Sequence, residues 1–189
     1  NKFSEYYKEM TYTEIQIYMY QLLSCLKKIH AVGIIHRDIK PDNFLFNRKS
    51  KQCCLIDFGL AEIDLDSNIW KSVNINNQDD PDGKILTEIQ KGGYRHKLGT
   101  RGFAPPEVIF HSNYQTSGVD IWAAGVVLLT ILSQRLPIFN LNQFSKIQDE
   151  TIKDIVPLII LYGKEAIMNT AKNCKCPMYI GDIFKAFNL

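Results

Sequence analysis

A mainly α-helical domain with small β-hairpins is the fold class this sequence predicts, and three observations predict it. An amphipathic stripe follows a helix-start signal at Thr11. A second window, Val119 to Leu132, is almost wholly apolar. Between them lie short β-compatible runs that frame a polar loop at His36 to Asn43.

Thr11-Tyr12-Thr13-Glu14 has the form of a capping box, in which the Thr11 hydroxyl and the Glu14 carboxylate satisfy free amides at a helix start. From there Ile15, Tyr18, Leu22, Leu26 and Ile29 recur at three- and four-residue steps, and the stripe ends near Gly33. Ile34-Ile35, Phe44-Leu45-Phe46 and Cys53-Cys54-Leu55-Ile56 read as small strands, the last stopped by Asp57-Phe58-Gly59. Residues 62–98 hold few apolar anchors and many turn formers, and a long mobile loop is expected there. Order resumes at Gly99. The Val119 to Leu132 window then predicts a helix buried on all sides. Weaker helical patterns follow at Ile147 to Ile160, interrupted by Pro157, and at Glu165 to Lys172.

Composition narrows the classes of function. A chain of 189 residues, 46% apolar and 22% charged, is long enough for one domain with a real core. A net charge of +2 and the absence of a basic run give no reason to expect a nucleic-acid partner. The apolar window falls short of the roughly 20 residues that span a bilayer, and Asn1 to Tyr12 has no signal-peptide pattern. No membrane association is therefore expected. Five cysteines, Cys25, Cys53, Cys54, Cys174 and Cys176, form no disulfide framework and fit a reducing compartment, cytosol or nucleus. Cys174-Lys175-Cys176 is half of a metal-binding pattern, but without a second Cys/His pair it reads as two thiols near a loop.

The chemistry concentrates in His36-Arg37-Asp38-Ile39-Lys40-Pro41-Asp42-Asn43. Phosphoryl transfer to a hydroxyl requires that the hydroxyl be oriented and relieved of its proton. The metal ions bridging the phosphates must be held, and the charge on the transferring group neutralised. Asp38 can accept the proton, Lys40 can meet the γ-phosphate, and Asn43 with Asp57 can supply the oxygen ligands that magnesium prefers. Asp-Phe-Gly alone is a common turn, and His-Arg-Asp alone is also weak. The full string leading through an apolar strand into Asp57-Phe58-Gly59 is specific.

On these motifs the chain resembles the C-terminal lobe of a eukaryotic protein kinase over nearly its whole length. Gly99-Thr100 before Pro105-Pro106-Glu107, and Asp120-Ile121-Trp122-Ala123-Ala124-Gly125, stand in that family's order. The resemblance implies ATP and Mg2+ as cofactors, with Lys40, Asn43, Leu45 and Asp57 binding the nucleotide and Asn43 and Asp57 the metal. It implies that His36 and Phe58 stack, with Gly59 closing their motif. Leu45 would floor the adenine, Asp120 would fasten the catalytic-loop backbone, and Glu107 would anchor the end of the activation segment. Thr100 would hold Asp38 and Lys40 in place. Arg37 before Asp38 implies a pocket that receives a phosphate or a substitute acid from the activation segment. Lys40 two residues after Asp38 is the serine/threonine pattern.

The string Lys40 to Asn47, the long insert after Asp57-Phe58-Gly59-Leu60-Ala61, and Gly99-Thr100-Arg101-Gly102-Phe103 before Pro106-Glu107-Val108 resemble the cell-division-cycle-seven kinases. These fire replication origins together with an activating subunit, so a protein substrate, such a subunit and a nuclear rather than cytoplasmic location are implied. His36 to Leu45 also resembles casein kinase one, which lacks a recognisable Pro-Glu motif at that point. Ala104-Pro105-Pro106-Glu107 departs from the Arg-Ala-Pro-Glu of the replication kinases, and their cysteine-bearing zinc insert is not visible between Leu60 and Gly99. Lys91, Arg95, His96, Lys97 and Arg101 predict a preference for acidic or phosphorylated residues after the acceptor, with Arg101 the residue that grips them. A solvated basic loop end is the bland alternative.

Nothing before His36 offers a glycine-rich loop, a strand lysine or its glutamate partner, and the sequence stops at Leu189, before the arginine that the resemblance implies would pair with Glu107. The chain is accordingly expected to be a piece of a longer kinase, without the N-terminal lobe and inactive by itself. The alternative is an inactive half-kinase that acts as a binding module.

Overall fold

The computed structural model describes residues 7–64, 67–69, 99–110, 112, 115–133 and 150–173. Helix α1, Tyr12–Ala31, leads into strand β1, Ile34–Ile35, and a 3-10 turn at Pro41–Asn43 runs directly into β2, Phe44–Phe46. Strands β3, Cys53–Leu55, and β4, Glu62–Ile63, come next, followed by helices α2, Pro106–Ile109, α3, Gly118–Ser133, α4, Glu150–Tyr162, and α5, Lys164–Asn173. The predicted mainly helical fold with small antiparallel sheets is the one observed.

The capping box forms as expected. Thr11 Oγ1 accepts from the Glu14 amide at 3.2 Å, and Glu14 Oε2 accepts from the Thr11 amide at 2.9 Å. Such a cap contributes about 1 kcal/mol. The Arg48 guanidinium, donating to both Glu14 oxygens at 3.0 and 2.8 Å, holds that carboxyl far below the usual carboxylate range and pins the β2–β3 turn to α1. At the other end Gly33 takes the left-handed conformation, φ 71°, and closes the helix with a hydrogen bond from its amide to the His30 carbonyl.

The stripe on α1 drives the packing. Tyr18, Leu22 and Leu26 are fully buried against α3 and the β2–β3 hairpin, each burial stabilising by roughly 1.5–3 kcal/mol. Tyr18 receives Phe44 and Phe46 edge-on, at ring-centre distances of 4.9 and 5.4 Å. The hairpin pairs Phe44 with Leu55, Leu45 with Cys54 and Phe46 with Cys53. A second two-stranded sheet pairs Ile34 with Ile63 and Ile35 with Glu62.

Three sequence expectations need correction. The loop expected from residue 62 opens instead with β4, because Glu62 and Ile63 find backbone partners on β1 and the Asp64 amide bonds the Gly33 carbonyl. Apart from 62–64, 67–69 and the start of order at Gly99, that insert lies outside the described residues, as do the basic residues Lys91, Arg95, His96 and Lys97 and the pair Cys174 and Cys176. Helix α3 is not buried on all sides. Ala124 and Val127 face the core, while Ile121, Leu129 and Leu132 fall on the opposite face and are about half exposed. Finally, Pro157 does not interrupt α4, which continues from Glu150 to Tyr162. The lost hydrogen bond and ring clash cost about 3 kcal/mol. Burial of Ile155, Leu158 and Ile159 against α2 and α5 offsets it.

Cys25 and Cys53 are free thiols with sulfurs 3.9 Å apart, and Cys54 is free and exposed. Burial, followed by the neighbouring Cys53, raises the Cys25 thiol to about 11. Among the described residues no helix is long and apolar enough to cross a membrane.

Candidate active site

The site is built on a buried carboxylate. Asp120, in the first turn of α3, is fully inaccessible. Its Oδ2 accepts the His36 amide at 2.8 Å, and its Oδ1 accepts the Arg37 amide at 2.8 Å. His30 Nε2 from the end of α1 meets Oδ2 at 2.7 Å. A buried carboxylate so bonded fixes the backbone that leads into Asp38. Asp120 thus meets the backbone of the catalytic loop, and His30 joins it from a distant element that no motif marks.

Arg37 adopts left-handed backbone, φ 67°. That turn brings its carbonyl so close to Gly99 that a Cβ there would stand 2.4 Å from the oxygen. Only glycine fits, and the contact sets Thr100 against the loop.

Asp38 sits at the centre, 7% exposed. Oδ1 accepts from the Thr100 hydroxyl at 2.7 Å and from the Thr100 amide at 2.9 Å. Oδ2 accepts from Lys40 Nζ at 2.8 Å and Asn43 Nδ2 at 2.9 Å. Lys40 also donates to Thr100 Oγ1 at 2.7 Å, and Asn43 to the Asp38 carbonyl at 2.9 Å. Burial pushes the Asp38 carboxyl up, but the Lys40 ammonium and the Thr100 hydroxyl and amide together outweigh it and hold the carboxyl below its ordinary value. All four acceptor positions of the carboxylate are filled.

The Ile56 amide donates to the Asn43 carbonyl at 2.9 Å, which sets Asp57 next to the 3-10 turn that carries Asn43. Asn43 Oδ1 accepts no hydrogen bond among the described residues. Asp57 is exposed, with left-handed backbone at φ 62°, and among the described residues it engages only its Oδ1, with the Gly59 amide at 3.2 Å. Two hard oxygens are thus left for a cation, a donor set that fits magnesium completing its shell with phosphate and water. A Cβ on Gly59 would stand 3.1 Å from Asp57 Oδ1.

His36 and Phe58 meet as expected, ring centres 4.7 Å apart and tilted at 60°, with His36 Nε2 against the Ile56 carbonyl at 3.0 Å. Leu45 is half exposed and lines an open cavity of about 1240 Å³ with Gln21, Phe46, Cys53 and Cys54. Glu107, on the short helix α2, has its carboxyl raised by burial, partly opposed by its own amide, and among the described residues it makes no ion pair.

Arg101 has an acidic partner within the chain. Its guanidinium already holds Asp154 of α4 as a two-pronged pair, Nη2 to Oδ1 at 2.8 Å and Nε to Oδ2 at 3.1 Å. An acidic residue of a substrate would have to compete with Asp154, a partner that the sequence reading did not identify.

The chain matches the protein kinase domain family over residues 1–178. The chain is 34% identical over 182 residues to the cell cycle serine/threonine-protein kinase hsk1 of Schizosaccharomyces pombe, covering 89% of this chain and 34% of that protein. It is 33% identical over 197 residues to the cell cycle protein kinase spo4 of the same yeast, covering 90% and 43%. A probable cell division control protein 7 homolog of Encephalitozoon cuniculi is 32% identical over 186 residues, covering 90% and 50%. The chain belongs to the protein kinase domain family. Among its relatives are kinases of the cell-division-cycle-seven kind, and it spans half or less of the length of these three.

Proposed function

We propose that the chain is the catalytic C-terminal lobe of a serine/threonine protein kinase of the cell-division-cycle-seven kind, acting in the initiation of DNA replication in the nucleus. It would transfer the γ-phosphate of Mg-ATP to a protein hydroxyl and work with an activating subunit. The network in which Thr100, Lys40 and Asn43 converge on Asp38 is the observation that carries this reading.

Bound Mg-ATP supplies the phosphoryl group and the charge that its metal neutralises. The chain's own residues do the rest. Asp38 is held ionised and oriented to take the proton of a serine or threonine hydroxyl. Because its acceptor positions are full, an incoming hydroxyl displaces one donor. Lys40, on a flexible stem, is the one able to swing from Asp38 Oδ2 to a phosphate oxygen. Thr100 keeps Oδ1 fixed meanwhile. Asn43 and Asp57 present the oxygens that would hold the metal, and Leu45 the apolar surface for the adenine.

Nucleotide binding by the full-length protein tests the reading. Asp57→Asn should weaken Mg-dependent ATP binding, while nucleotide binding without magnesium changes little. Equal Mg-ATP affinity in both forms would contradict it and favour a binding module.

A further inference from the structure

Among the described residues Arg37 is held at three points. Its amide bonds Asp120 at 2.8 Å, its carbonyl lies against Gly99, and its guanidinium Nη1 makes an ion pair with Glu62 Oε2. The arginine is only 5% exposed, in left-handed backbone, one residue before Asp38. A guanidinium so buried needs a compensating anion, because removing one member of a buried pair leaves a desolvated charge. Glu62 is placed to provide it. It lies five residues after Asp57, and its backbone is paired with Ile35, whose strand runs directly into His36 and Arg37. One short sheet thus fixes both members of the pair.

The consequence reaches the reacting atoms through a continuous set of contacts. Arg37 presses on Gly99, and Gly99 is followed by Thr100, whose amide and hydroxyl hold Asp38 Oδ1 at 2.9 and 2.7 Å. A change in how Arg37 sits therefore changes how Asp38 is aimed.

We infer that Glu62 is a built-in anion that neutralises Arg37 and sets the catalytic loop, so that the enzyme needs no phosphate on its activation segment. The inference rests on the kinase reading above. Glu62 is a positioning residue and touches no substrate. Between β4 and Gly99 the chain carries four hydroxyls that a phosphate could occupy, Ser67, Ser72, Thr87 and Tyr94. None of them is required on this account.

The experiment uses the full-length protein with a protein substrate and Mg-ATP. Phosphatase-treated wild type and the combined S67A, S72A, T87A and Y94F variant should each keep activity within about twofold of the untreated wild type, well short of the loss that a misplaced catalytic loop would cause. E62Q, which keeps the shape and loses the charge, should lower kcat by about 10- to 10²-fold, the scale of a small misplacement. Its KM for ATP should stay within about twofold. E62D, which restores the charge, should recover most of the loss, which a purely steric role for the side chain would not produce. Phosphatase inactivation of an active wild type would overturn this inference and leave the kinase reading standing, as would E62Q turning over at the wild-type rate. If E62Q fails to fold, the phosphatase and hydroxyl-free arms still decide. A wild type without phosphotransferase activity would overturn the kinase reading, and this inference with it.

Discussion

The amide of Arg37 donates to Oδ1 of Asp120 at 2.8 Å across a sequence separation of 83 residues, in a place with no access to water. The amide of His36 uses the other oxygen, so one carboxylate ties the catalytic loop to the central helix. Asp120→Ala would leave both buried amides unsatisfied, at about 1–3 kcal/mol each. Denaturant unfolding of the full-length protein should show a loss of roughly 2–5 kcal/mol, with activity lost in parallel. Asp120→Asn, which retains one acceptor oxygen, should lose less. An unchanged unfolding midpoint in the alanine variant would show that the loop is held by other means.

Thr100 both donates to Asp38 and accepts from Lys40. Thr100→Ser keeps the hydroxyl and should turn over near the wild-type rate. Thr100→Ala removes a hydrogen bond to a charged group, about 1.5–3 kcal/mol, or roughly 10- to 100-fold in kcat. It also removes one of the influences that hold the Asp38 carboxyl below its ordinary value. A depressed carboxyl stays ionised as pH falls until the lowered value is reached, so raising it moves the acid limb of kcat to higher pH. A pH–rate profile of Thr100→Ala superimposable on that of the wild type would refute this account of Asp38.

The pairing of Arg101 with Asp154 gives the substrate question a definite form. If Arg101 grips an acidic residue after the acceptor, Asp154 is its competitor. Asp154→Ala should then strengthen the preference for Asp, Glu or phosphoserine at that position in a peptide array, and Arg101→Ala should weaken it. A preference for proline or basic residues would remove the replication-kinase assignment and leave the broader kinase reading intact.

What could be read from the sequence was local or motif-borne. The Thr11 cap, the α1 stripe and the strand runs depend on neighbours a few residues apart, and they form as expected. Asp38, Lys40, Asn43 and Thr100 converge because their motifs carry fixed geometry. The partners that sequence reading missed come from distant elements. His30 meets Asp120 across 90 positions, Glu62 meets Arg37 across 25, and Asp154 meets Arg101 across 53. No periodicity announces such pairs. The arginine pocket predicted an acid from the activation segment without saying which one. The exposed face of α3 was illegible for a related reason, since uniform apolarity does not reveal which side meets the core.

The central claim is that Asp38 is the base of a phosphoryl-transfer site, and one comparison tests it most directly. Phosphate transfer from Mg-ATP to a serine- or threonine-containing protein is measured for the full-length enzyme and for its Asp38→Asn variant, alongside ATP affinity. The account predicts a fall in turnover of about 10²–10⁴-fold, the effect of removing a positioned base, with ATP binding nearly intact. Wild-type turnover in Asp38→Asn would contradict it.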